Sequence, residues 1–140
     1  MRIVGIIILL YIALGLLADG AIGYFQPESE GTAVLRTFDS EGHAHDTVLS
    51  LLNDEGNLWV ESGHWFRGWY TRVLANPDVE LIRDGHTGYF RAAPIDTPQA
   101  VETVTRLMGK GEKTSYWVGR ALLLWAPIKP VRLFHRQPGT

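Results

Sequence analysis

The chain opens on an unbroken apolar stretch. From residue 3 to residue 18 no charged side chain occurs; Asp19 interrupts, and small and apolar residues then continue to Phe25. A bilayer core of ~30 Å takes about 20 helical residues. Residues 3–25 therefore predict a membrane-spanning helix, with Asp19 near the far interface and Tyr24 and Phe25 at the membrane surface. A cleaved signal peptide is the alternative. Only Met1 and Arg2 precede the run, and Ala18-Asp19-Gly20 is a poor small-x-small cleavage site, so the segment reads as an uncleaved anchor. A core helix hydrophobic all round would need a larger domain to surround it.

Polar residues with turn chemistry follow, giving a linker over 26–32 and a folded unit over 33–140. In that unit short runs of alternating character are punctuated by turns. Strands are predicted over 33–38, 47–52 and 58–62, separated by Asp39-Ser40-Glu41-Gly42 and Asn53-Asp54-Glu55-Gly56-Asn57; this spacing reads as a β-meander. A short helix is expected over 69–75, ended by Asn76-Pro77, because the residue before proline is pushed out of the helical region. Strands over 79–83 and 87–92 flank Asp84-Gly85, a favoured tight-turn pair.

Residues 98–108 form the clearest helix. Asp96 or Thr97 caps it, Pro98 suits its first turn, Val101, Val104 and Met108 share a face, Glu102 and Arg106 are spaced to pair, and Gly109 stops it. A further helix is expected over 115–125, where Val118, Ala121, Leu122 and Trp125 follow helical spacing. A last strand covers 131–135. About six strands and two or three short helices predict a mainly β fold with α, a small barrel that closes on itself and removes its edges.

Composition narrows the chemistry. The 140 residues suffice for one core. With a formal net charge of −2, no strong field is available to draw in nucleic acid. The absence of cysteine removes disulfides, zinc–thiolate sites and cysteine nucleophiles. Arg2 precedes the apolar run, while Asp19, Glu28 and Glu30 follow it; by the positive-inside rule this favours the N-terminus inside and the domain outside, extracytoplasmic and held by one span, with a cytoplasmic domain as the alternative.

The densest chemical cluster is Trp59, His64, Trp65, Phe66, Arg67, Trp69 and Tyr70. A planar ring would stack on such aromatics and Arg67 would face an anion, although the same residues would equally build a core corner. His43 and His45 share a face if they lie on a strand, but no third ligand completes a metal site, and none is assigned. The serines lack a nucleophile elbow, no glycine-rich loop leads from strand to helix, and Glu61, Glu102 and Glu112 lack the spacing of paired acid–base carboxylates.

Three places resemble the split β-barrel flavin and deazaflavin oxidoreductases, most closely the deazaflavin-dependent nitroreductase and quinone reductase branch. They are Leu35-Arg36-Thr37 with the glycine turn at Gly42 and His43-Ala44-His45-Asp46-Thr47; Leu58-Trp59-Val60-Glu61-Ser62-Gly63; and, most specific, Trp69-Tyr70 followed by Leu74-Ala75-Asn76-Pro77-Asp78-Val79-Glu80. The likeness covers residues 34–134 and implies a six-stranded split barrel. It also implies a deazaflavin or FMN cofactor, hydride transfer to a quinone, nitro compound or other planar aromatic acceptor, and pairing as a homodimer. By the same resemblance Ser62 and Gly63 let the cofactor approach the backbone, Trp69 and Tyr70 line its pocket, His45 lies near its polar edge, and Tyr70 or His64 donates a proton to the product. One departure stands out. The family's first turn carries Arg or Lys with Ser-Gly, whereas Asp39 and Glu41 here repel a phosphate, leaving Arg67 to supply positive charge from another direction. The alternative is a non-enzymatic barrel at the membrane that binds a hydrophobic ligand, haem or a metal, or a protein partner.

Overall fold

The computed structural model describes residues 2–25, 28–65, 67–109 and 113–137. The apolar run is helix α1 (Arg2–Phe25). It is followed by β1 (Thr32–Phe38), β2 (Ala44–Ser50), β3 (Leu52–Asp54), β4 (Asn57–Ser62), α2 (Gly68–Ala75), β5 (Asp78–Arg83) and β6 (His86–Pro94). Helices α3 (Pro98–Met108) and α4 (Lys113–Leu122) precede the last strand, β7 (Lys129–His135).

The strands form one antiparallel sheet in the order β2-β1-β5-β6-β7-β4-β3. It curls until β2 lies against β4, but among the described residues no ladder joins the two ends, so it is a half-barrel of seven strands and not a closed barrel of six. The extra strand arises at Leu51. The run expected over 47–52 pairs with β1 as far as Ser50; Leu51 N–H then bonds back to Gly31 O at 2.9 Å, and the chain turns so that Leu52 pairs with Trp59. The expected meander is replaced for the same reason by two separate hairpins, and the free edge of β1 is taken by β5.

Two apolar clusters hold the sheet. Inside the curl Leu35, Val60, Val79, Phe90, Val131 and Leu133 pack with Trp69 and Val73, the buried residues of α2. Behind the sheet Ala100, Val104 and Leu107 of α3 cover Trp59. β4 serves both clusters because alternate side chains point to opposite faces: Val60 goes in and Trp59 goes out.

The α3 cap is Thr97, whose hydroxyl accepts from Ala100 N–H at 3.3 Å, while Asp96 is drawn away to Lys129 at 2.9 Å. The expected Glu102–Arg106 pair gives way to Arg106–Asp54 at 3.0 Å, which ties α3 to β3. On α4 the spacing does not mark a core face. Val118 is 53% and Trp125 54% exposed.

α1 rests on the remainder of the chain along a single stripe. Tyr11 donates its hydroxyl to Ala121 O, Gly15 meets Leu124 and the Leu122 carbonyl, and Asp19 reaches His64. These three contacts lie four residues apart, on one face of the helix. A Cβ at Gly15 would sit 2.6 Å from Leu124 Cγ, so the close approach requires glycine.

Candidate functional site

β4 ends by sending adjacent side chains in opposite directions. Ser62 follows Val60 toward the inside of the curl and lines a cleft of about 230 Å³ with His64, Trp65, Arg67, Tyr70, Thr71, Pro127 and Lys129. Glu61 follows Trp59 and lines a second cavity of about 190 Å³ with Gly63, Met108, Tyr116, Gly119, Arg120 and Leu123. Lys129 reaches the cleft because β7 pairs with β4 in a register that sets it opposite Ser62.

α2 supplies the cleft's wall. Its Trp69 and Val73 are buried one turn apart, which leaves Tyr70 and Thr71 on the cleft side. Trp69 is 1% exposed, is not among the cleft's lining residues and belongs to the core beneath; it touches the ring of Tyr70 edge-on at 5.8 Å and 87°. The helix ends as the sequence requires, with Asn76 extended before Pro77 and its Oδ1 accepting from Asp78 N–H at 3.1 Å.

The loop after β4 gathers buried charge. His64 Nδ1 is hydrogen-bonded to Asp19 Oδ1 of α1, with both side chains almost wholly covered. Burial, and next the Arg67 cation, push the imidazole below its ordinary value, against the pull of Asp19. Arg67 is itself lowered, chiefly by burial and against the attraction of Asp19 and Glu61; its Nε is buried without a hydrogen-bond partner among the described residues. Glu61 Oε2 is likewise buried and has no hydrogen-bond partner among the described residues, and burial raises that carboxyl above the usual range despite Arg67 and Arg120. Gly63 makes room for it, since a Cβ there would lie 2.7 Å from Glu61 Oε2. The result is a mixed-charge cluster of Asp19, Glu61, His64, Arg67 and Arg120 between α1, β4 and α4.

Of the sequence-predicted residues, Ser62, His64, Arg67 and Tyr70 come together on the cleft. Gly63 is buried and faces the neighbouring cavity. His45 is not among the cleft's lining residues: it sits on β2, where its Nε2 pairs with Asp39 Oδ2 at 2.9 Å. Asp39 also accepts from Glu41 and His43 N–H at 3.0 and 2.9 Å, and these bonds, His45 first, hold its carboxyl well below the usual range. The backbone N–H groups of Glu41, Gly42 and His43 are thus already taken by Asp39. Among the described residues no three metal-ligating side chains converge. Gln26, Pro27, Phe66 and Glu112, and the side chains of Tyr24 and Phe25, lie outside the described residues.

Sequence reasoning missed Asp19, Glu61, Arg120, Lys129 and Thr71. The signal for Asp19 was present: Tyr11, Gly15 and Asp19 form a polar and small stripe at four-residue intervals in an otherwise apolar helix.

No protein-family model matches the sequence, and no curated protein matches it either. Solved structures do resemble the fold. A heme storage protein from Vibrio cholerae is 17% identical with a TM-score of 0.57, over 76% of this chain and 82% of that one. An F420-H2 dependent reductase is 15% identical with a TM-score of 0.60, over 74% of this chain and 94% of its own. A protein described as a domain-swapped dimer is 14% identical with a TM-score of 0.63, over 76% and 82%. At these identities the likeness is one of fold: this chain shares the half-barrel architecture of those proteins.

Proposed function

We propose that this chain is a membrane-associated oxidoreductase of the split-barrel type, holding a deazaflavin or FMN ring at the cleft and reducing a quinone, nitro compound or other planar aromatic acceptor. The observation that carries this reading is the convergence of Ser62, His64, Arg67 and Tyr70 on one cleft of a fold like that of the F420-H2 dependent reductase. The residues fit the polar edge of such a ring. Arg67 lines the cleft half-buried, and its guanidinium offers a charge-assisted donor to an acidic edge. They do not fit its phosphate at the Asp39 turn, where the donors are occupied. The cleft is also smaller than the ~300–1,000 Å³ of pockets that enclose a whole ligand, which suits a bound ring with its tail outside, or a site extended by a second copy of the chain.

When bound, the cofactor would supply hydride chemistry; the protein's part is orientation, water exclusion and proton placement. Tyr70, braced by Trp69, presents its hydroxyl to a reduced product. His64, kept neutral by burial and oriented by Asp19, exchanges a proton through Nε2. Ser62 and Lys129 define the cleft's opposite strand edges.

A second reading, haem binding, is supported by the likeness to the heme storage protein and by the presence of a buried histidine at the cleft. One titration separates the two. The full chain in detergent is mixed with FMN, deazaflavin or haemin and followed by absorption and fluorescence. Binding of a flavin-type ring is expected, weakened about tenfold or more in Arg67→Ala. Failure to bind either ring by folded protein overturns the oxidoreductase reading, and a Soret shift lost in His64→Ala replaces it with haem binding.

A further inference from the structure

We infer that α4 and the turn after it form a second membrane-embedded element, lying in the lipid interface beside α1. This rests on the reading of α1 as a membrane span and extends it to a part of the molecule that reading leaves outside the bilayer.

The argument begins with where α1 is occupied. By length and composition Ile3–Ala21 could cross a bilayer. Yet the stripe of Tyr11, Gly15 and Asp19 is seated on α4, its following turn and the loop after β4. Residues 3–10 precede that seat and are exposed. At 1.5 Å per residue they reach about 12 Å, less than half of the ~30 Å of hydrocarbon. A span built from α1 must therefore take residues 11–21 into the bilayer, and whatever is packed against them comes to the same depth.

The surface of α4 suits that depth. Tyr116, Gly119 and Arg120 turn toward the Glu61 cavity. The opposite face carries Trp117, Val118 and Leu122, exposed by 54%, 53% and 38%, and the following turn adds Trp125 at 54%. The Trp117 and Trp125 rings lie 5.9 Å apart. A continuous apolar face with paired tryptophans, and polar residues on the other side, is the composition of a helix lying in the interfacial plane. α1, with its own exposed apolar side chains, packs directly against this element through Ala121, Leu122 and Leu124. The occupant of the exposed face is accordingly the acyl and headgroup boundary of the bilayer that α1 crosses.

The absence of cysteine makes the test direct. Single-cysteine variants Leu9→Cys, Val118→Cys and Glu102→Cys of the full chain carry a nitroxide label in phosphatidylcholine–phosphatidylglycerol vesicles. Electron paramagnetic resonance then reads collisions with oxygen, which enters lipid, and with a water-soluble nickel chelate. Leu9 lies on the exposed part of α1, Val118 on α4, and Glu102 on the outer face of α3. The expected result is loss of nickel access with high oxygen access at positions 9 and 118, and free nickel access at 102. If position 9 is lipid-like but 118 behaves as 102 does, the α4 inference fails and the anchor stands. Shielding of 118 from both reagents would mean a protein partner, such as a second copy, covers the face, and would also overturn it. If position 9 is open to nickel, the anchor reading falls and takes this one with it. Phe substitution at Trp117 and Trp125 gives an independent measure: quenching of tryptophan fluorescence by brominated acyl chains should drop in the double variant, and an unchanged signal counts against the inference.

Discussion

Glu61 and His64 sit three residues apart and respond to pH in opposite senses. Glu61 is raised from an ordinary value of 4.5, mainly by burial, so its folded form prefers the proton. The stability it contributes is complete below about 4.5 and is lost as pH rises through the folded value. His64 is lowered from 6.5, again mainly by burial, so its contribution is complete above about 6.5 and is lost as pH falls. Glu61→Gln removes the first dependence while keeping the shape. Thermal melts should show the variant more stable than the parent at pH 8 and close to it near pH 4.5. A parent that is the more stable at pH 8 would mean that the Arg67 and Arg120 charges outweigh burial. In the sequence Glu61 looked ordinary, and His64 stood out only as a member of the aromatic-rich cluster. A lone Glu in a strand and a lone His in a loop carry no local sign of burial; only the pairing of β4 with β7 and the seating of α1 provide it.

At the level of elements, local signals were read well where they are self-contained. α3 is bounded by Thr97, Pro98 and Gly109, and its ends fall where those residues predict. Thr97→Ala removes the hydroxyl acceptor for Ala100 N–H and should lower stability by about 1 kcal/mol. Chemical denaturation should show that as a lower midpoint with unchanged slope; an unchanged midpoint would mean the cap bond contributes nothing. α2 was equally legible, through Asn76-Pro77. The errors come where an element's environment is set by distant chain. The apolar spacing of α4 is real, but spacing alone cannot say whether the face meets protein or something else. The break at Leu51 is invisible too, because no glycine or proline marks it and the change of partner depends on Gly31 and Trp59.

For the whole molecule, the sequence specified a mainly β domain behind an apolar helix, and both are present. It did not reveal that helix and domain are joined by a buried polar contact. That contact makes orientation a property of the entire structure. The flanking charges favour a domain outside the cytoplasm. A C-terminal alkaline phosphatase fusion, active only outside, should therefore be active, and a green fluorescent protein fusion dark. The reverse pattern would place the domain with the cytoplasmic pool of reduced cofactors, and would show that Arg2 does not control insertion.

The seat of α1 also bears on how the protein should be prepared. Removing an apolar N-terminal helix is the usual first step toward a well-behaved sample. Here a trimmed chain beginning near residue 28 would lose the carboxylate of Asp19, leaving His64 and Arg67 together without that counter-charge. It would also uncover Leu124 beside Trp125. Such a fragment would tend to self-associate and would present an altered cleft. A negative ligand screen on it would report on the trimming and not on the protein.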